Sequence, residues 1–197
     1  MRRRTLLVLA LLLPGAPGLP AAEPAATSGP ELDALMQLLA QRRHGHVSFT
    51  EVQQLAVLDG PLHSSGELLY DAPDRLEKRT LQPKPEDLVL SGSTLIVQRG
   101  SHHRALSLRD YPQAVPLVES IRATLAGDRK ALEQYFALEF SGSLESWTLE
   151  LTPRDATLKR SVERIRIAGQ RDAVHTVEIR QRDGDSSLLT IGPELRP

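Results

Sequence analysis

Trp147-Thr148-Leu149-Glu150-Leu151-Thr152-Pro153 alternates an apolar with a polar residue and then stops at a proline. A period of two places Trp147, Leu149 and Leu151 on one face of a β-strand and the polar residues on the other, so this strand has one dry and one wet side. Downstream, Ile165/Ile167, Val177/Ile179 and Leu189/Ile191 repeat the pattern, with turns at Ala168-Gly169 and Asp183-Gly184-Asp185. Upstream, Val47/Phe49, Leu68/Tyr70, Leu88/Leu90, Leu95/Val97 and Leu106/Leu108 do the same between turn signals such as Asp59-Gly60-Pro61, Ala72-Pro73-Asp74 and Ser91-Gly92-Ser93. Strands spaced by about 8 to 12 residues read as an antiparallel meander.

Two stretches break the alternation. Leu32, Leu35, Met36, Leu38 and Leu39 recur at helical spacing and predict an amphipathic helix from Glu31 to Arg43, with Pro30 suited to its first turn. Between Tyr111 and Phe140 the helical period returns, broken at Gly127, with Asp128 as an N-cap and then Leu132, Tyr135 and Phe136. The expectation is an α+β fold of ten or eleven strands and three helices. A curved antiparallel sheet with helices for one side only leaves a concave apolar face closed by those helices, which is the geometry of an apolar ligand cavity.

Composition narrows the chemistry. Of 197 residues, 40% are apolar and only 4% aromatic, as in an ordinary globular protein with an aliphatic interior. Lys+Arg 24 against Asp+Glu 25 leaves no basic excess for a nucleic-acid backbone. The absence of cysteine removes disulfides, thiolate nucleophiles, cysteine-bound metals and lipid attachment through sulfur. His44-Gly45-His46 and His102-His103 lack a carboxylate at metal-ligand spacing, Ser64-Ser65-Gly66 lacks a nucleophile elbow, and Asp183-Gly184-Asp185 lacks the later ligands of a calcium loop. No catalytic residue, metal site or cofactor is expected, and the chain reads as a binding protein rather than an enzyme.

Arg2-Arg3-Arg4, the apolar run Leu6 to Leu13 and the small residues ending at Ala21-Ala22 form a secretory leader, residues 1–22. Its apolar core is shorter than the roughly 20 residues a spanning helix needs. Residues 23–30 read as a disordered lead-in and 31–197 as one domain. Loss of the three leading arginines makes the exported chain mildly acidic.

The order of motifs carries a family resemblance. Phe49-Thr50-Glu51, then Ser65-Gly66-Glu67-Leu68-x-Tyr70-x-Ala72-Pro73-Asp74-Arg75-Leu76, then Ser91-Gly92-Ser93-x-Leu95 follow a leader and an amphipathic helix. With Trp147 to Pro153 and the closing Ile165 to Asp185 hairpins, they resemble the LolA-like periplasmic lipoprotein carriers in a divergent branch. That resemblance implies an unclosed antiparallel β-barrel of about eleven strands with a lid of three helices. It further implies a cavity for acyl chains, an inner-membrane loading complex, an outer-membrane acceptor and a monomeric periplasmic carrier. In the family an arginine before the strand-turn proline holds the lid through backbone carbonyls; here that position is Ala72, and the nearest arginine is Arg75.

The candidate lipid-contacting residues are Phe49, Leu68, Tyr70, Leu76, Leu95, Val97, Trp147, Leu149, Leu151, Ile165 and Ile167 on the concave face, with Leu117, Ile121, Leu125 and Phe136 on the lid. Aliphatic walls without polar anchors suit a carrier that must release its cargo. The cargo class stays open among a lipoprotein, a fatty acid, a glycolipid and a polyene lipid. A lipid sensor that signals to a membrane regulator through the same cavity is the alternative.

Overall fold

The computed structural model describes residues 29–195, so the leader and most of the lead-in lie outside the described residues. The chain runs α1 (Pro30–Leu39), β1 (His44–Gln54), β2 (Leu62–Asp71), β3 (Arg75–Gln82), β4 (Glu86–Ser91), β5 (Thr94–Arg99), β6 (His102–Ser107), a 3-10 turn at Leu108–Asp110, α2 (Val115–Ala126), α3 (Arg129–Tyr135), β7 (Phe136–Ser143), β8 (Ser146–Pro153), the single turn α4 (Leu158–Ser161), β9 (Val162–Gln170), β10 (Ala173–Gln181) and β11 (Ser186–Glu194). All eleven strands form one antiparallel sheet in the order β6-β5-β4-β3-β2-β1-β11-β10-β9-β8-β7. The sheet is unclosed, with β6 and β7 as its two edges.

β6 and β7 are consecutive strands at opposite edges of the sheet, and the segment that joins them carries α2 and α3. Gly127 ends α2 at φ +65°. A Cβ there would stand 2.1 Å from the Met36 carbonyl oxygen, so glycine permits both the left-handed stop and the close approach of α1. Asp128 then caps α3, its Oδ1 accepting from the Ala131 N–H at 3.0 Å.

One apolar face of the sheet is covered over β7–β10. Leu32, Leu35, Met36 and Leu39 of α1 and Leu132 of α3 join Phe136, Phe140, Trp147, Leu149, Leu151, Ile165 and Ile167 in a single buried cluster. Trp147 is pinned by its Nε1–H donating to the Arg171 carbonyl at 2.9 Å, and Gly169 lies against its ring where a Cβ would clash at 2.4 Å.

Three expectations are corrected. The first helix ends at Leu39, not Arg43, because the backbone turns at Ala40 to Arg42 to enter β1. Residues 136–143 form strand β7 rather than the end of a lid helix. Phe136 and Phe140, four apart, fit a helix face as well as alternate positions of a strand, and ladder bonds to β8 decide between them. Among the described residues the α-helices number four, the extra one being the four-residue α4 between β8 and β9.

Candidate functional site: an aliphatic cavity under one helix

The other flank of the same sheet face is not filled. A cavity of about 720 Å³ lies between α2 and strands β1–β5 and β9–β11. This is within the ~300–1,000 Å³ of sites that enclose a small ligand. Register builds its walls row by row. Val47, Leu68, Lys78 and Leu88 stand side by side across β1 to β4, and Gly45, Tyr70, Leu76, Leu90 and Leu95 form the adjoining row across β1 to β5. Ile191 and Leu189 of β11, Val177 and Ile179 of β10 and Ile167 of β9 continue the wall on the other side. Leu117, Val118, Ile121 and Leu125 of α2 make the roof.

Of the fifteen candidate residues, the cavity brings together Leu68, Tyr70, Leu76, Leu95, Leu117, Ile121, Leu125 and Ile167. The others lie elsewhere. Phe136, Trp147, Leu149, Leu151 and Ile165 are closed inside the core under α1 and α3, each at most 2% exposed. Phe49 is on the correct face but covered, with the Lys78 ammonium 5.0 Å from its ring centroid. Val97 sits two residues beyond Leu95, farther from the end of the sheet to which α2 is tied. The lid is also smaller than expected, since α2 alone among the helices faces the cavity while α1 and α3 hold it from behind.

The walls carry polar groups that the alternation concealed. Glu51 and Lys78 both face inward: Lys78 Nζ donates to Glu51 Oε2 at 2.5 Å, and Ser64 Oγ donates to the same oxygen at 3.2 Å. In sequence, Lys78 belongs to the charged run Arg75 to Arg79, which reads as a solvated face. In the sheet, Arg75, Glu77 and Arg79 point to the convex side and pair with one another, while Lys78 takes the opposite side with Leu76. Tyr70 is buried on the wall, and its Oη has no hydrogen-bond partner among the described residues. Burial pushes the Tyr70 hydroxyl above its ordinary pKa; the charge of Arg43 opposes this and that of Asp74 adds to it. The expectation of walls without polar anchors is therefore overturned.

His44 and His46 are engaged in cross-strand pairs. His44 Nδ1 lies 2.9 Å from Asp71 Oδ1, and His46 Nε2 lies 3.0 Å from Glu67 Oε2. Among the described residues no group of three or more His, Asp or Glu side chains is gathered as for a metal ion.

The lid is fastened from its own side. Arg122 of α2 donates through its NH1 to the Gly92 carbonyl in the β4–β5 turn at 3.1 Å, and Glu119 one turn earlier holds the guanidinium. Arg75 instead reaches Glu77 and Asp71 and does not serve the lid.

The sequence family described as outer membrane lipoprotein carrier protein LolA-like matches residues 21–192. The chain belongs to this LolA-like family. Among solved structures, a LolA superfamily protein from Nitrosomonas europaea is similar at 12% identity and a TM-score of 0.45, covering 86% of this chain and 95% of that one. LprF from Mycobacterium bovis is similar at 11% identity and a TM-score of 0.37, covering 86% and 95%. The Pseudomonas aeruginosa MucA/MucB complex contributes a chain at 13% identity and a TM-score of 0.46, of which this LolA-like chain spans 57% while 84% of its own length is covered. No curated protein sequence matches the chain.

Proposed function

We propose that this LolA-like protein is an exported carrier that shelters acyl chains in the cavity beneath α2 and moves them through the periplasm between the inner and outer membranes. The observation that carries this reading is a roofed, part-open cavity of about 720 Å³ walled mainly by leucine, isoleucine and valine, in a chain of the LolA-like family. Each buried methylene contributes roughly 0.8 kcal/mol, so one long chain supplies on the order of 10 kcal/mol before ordering costs. Shelter is thus easily provided, and release is the harder step. Half-buried aliphatic side chains that make no directional bonds favour release, and a single roofing helix limits what must move. Lipid contact falls on Leu68, Tyr70, Leu76, Leu95, Leu117, Ile121, Leu125 and Ile167. The leader at 1–22 supports export, and residues 31–197 act as one domain. A monomer loaded by an inner-membrane complex and unloaded at an outer-membrane acceptor completes the scheme.

Native mass spectrometry of the protein isolated from its own exported compartment tests the reading. A carrier is expected to retain acylated cargo at about one per chain. A chain that stays empty there, and takes up no acyl lipid after delipidation, would sink it.

A further inference from the structure

Apolar side chains left in water collect at one end of the sheet. Four of the seven large ones that are exposed among the described residues, Val57, Leu58, Leu62 and Leu81, lie there, and Val57 is 89% exposed. Val57 and Leu58 sit in the connection 55–61 between β1 and β2, Leu62 opens β2, and Leu81 is next to last in the adjacent β3. The connection is held in place: the Ala56 N–H donates to Asp185 Oδ1 at 2.7 Å and the Leu58 N–H to the Leu55 carbonyl at 2.9 Å. Nothing crowds it from outside, since a Cβ on Gly60 would meet no atom within 4 Å. Cations flank this tip. Lys84 is in the β3–β4 turn on one side. On the other, the Arg182 backbone N–H donates to the Ser161 carbonyl at 2.9 Å and its Nε–H to the Lys159 carbonyl at 2.8 Å, which ties the β10–β11 turn to α4 and sets Lys159, Arg160 and Arg182 at the same end. These four cations are exposed and make no ion pair among the described residues. Asp155, Asp183 and Asp185 of the same rim accept from backbone N–H groups, leaving Asp59 as the acidic side chain of the tip.

We propose that this end docks the protein on a lipid bilayer bearing anionic headgroups, with Val57 and Leu58 dipping into the apolar layer and Lys84, Lys159, Arg160 and Arg182 at the level of the phosphates. Apolar insertion ringed by cations holds peripheral proteins at an interface, because burial of aliphatic carbon adds to the attraction for anionic lipid. A protein partner fits less well. Stable interfaces bury about 800 Å² on each side and are rich in aromatic residues, whereas this tip is a narrow aliphatic hairpin end without an aromatic. The cavity extends toward the same end, since Glu51 and Ser187 line it and belong to the halves of β1 and β11 next to the connection. Arg122, which fastens α2, holds the β4–β5 turn at the opposite end. Docking therefore brings the cavity toward the lipid and leaves the fastening of the lid untouched. The docking surface stands on its own observations; only its use for transferring acyl chains rests on the sheltering function above.

Because the chain has no cysteine, Val57→Cys and Glu145→Cys give single sites for an environment-sensitive NBD dye, one at the tip and one in the β7–β8 turn of the opposite end, where the Glu145 side chain is 76% exposed. With vesicles of phosphatidylcholine and phosphatidylglycerol in equal parts, the label at 57 is expected to brighten and shift to the blue, and the label at 145 to stay as in buffer. Cosedimentation of the unlabelled protein with these vesicles should weaken about tenfold in a Val57→Ser, Leu58→Ser double variant. A Lys159→Gln, Arg160→Gln variant should lose about fivefold on the same vesicles and nothing on phosphatidylcholine alone. All four substitutions are on the surface, so both variants should keep the wild-type Tm and, after delipidation, bind parinaric acid in a fluorescence titration within about twofold of the wild type. Labels that respond alike at both ends, a Val57, Leu58 variant that cosediments as well as the wild type, or a wild type that does not cosediment would overturn the docking surface, and uptake of parinaric acid would leave the sheltering function intact. An equal loss by the Lys159, Arg160 variant on both kinds of vesicle would overturn the preference for anionic headgroups. A wild type that dimerises with rising concentration, loses this in the Val57, Leu58 variant and ignores vesicles would replace the bilayer with a second copy of the chain. A wild type that binds vesicles but no parinaric acid would remove the sheltering function and leave the docking surface standing.

Discussion

The two flanks of the sheet face share an alternating sequence pattern and differ in what occupies the space in front of them. Over β7–β10, Leu149, Leu151 and Ile165 are fully buried because α1 and α3 lay Leu32, Leu35, Leu39 and Leu132 onto them. Over β1–β5, Leu68, Leu76, Leu88 and Leu95 remain half-buried, because α2 roofs them without filling the gap. The alternation defines a dry face. Whether that face becomes core or cavity depends on how closely a helix approaches it.

The largest expected effect separates the flanks by stability. Leu149→Ala should cost about 3 kcal/mol, since it opens a void in a fully packed cluster, and should lower the denaturant midpoint sharply while the folded fraction keeps its lipid affinity. An equal loss of affinity with little loss of stability would show that the packed flank is part of the lipid site. Next comes the reverse experiment on the open flank. Leu88→Trp should fill cavity volume at a stability cost below about 1 kcal/mol and weaken acyl-chain binding by about tenfold or more in the same titration. Binding that survives unchanged would mean that the chains lie elsewhere. The smallest effect concerns the lid. Arg122→Ala removes the bond to the Gly92 carbonyl and should change stability by no more than about 1 kcal/mol, but speed lipid release several-fold in stopped-flow exchange. Unaltered release would leave Arg122 as a purely structural tie.

Much of this comparison could be read from the residues. The amphipathic α1, the stop at Gly127, the cap at Asp128 and the hairpin turn at Asp183 to Asp185 follow from local rules, and the structure shows each. Strand β7 was hidden because Phe136 and Phe140, spaced by four, suit a helix face as well as alternate positions of a strand, and only pairing with β8 resolves the ambiguity. Trp147, Leu149 and Leu151 are indistinguishable from Leu68 and Leu76 by periodicity, so alternation alone does not separate core from cavity residues. Lys78 was masked by its charged neighbours. Its inward direction follows from standing opposite Leu68, and Glu51, 27 residues away, meets it only because β1, β2 and β3 are consecutive strands curled toward one side.

By itself the sequence determined the elements, the dry side of most strands, the aliphatic character of the interior and the absence of sulfur chemistry, because these depend on the period, turn propensity and composition of short segments. Only the tertiary structure decided which part of the dry side stays empty, that α2 alone roofs it, and that Glu51, Lys78 and Tyr70 come to the same wall. Those outcomes depend on strand order and on the distance between a helix and a sheet, and both arise from contacts between residues far apart in the chain.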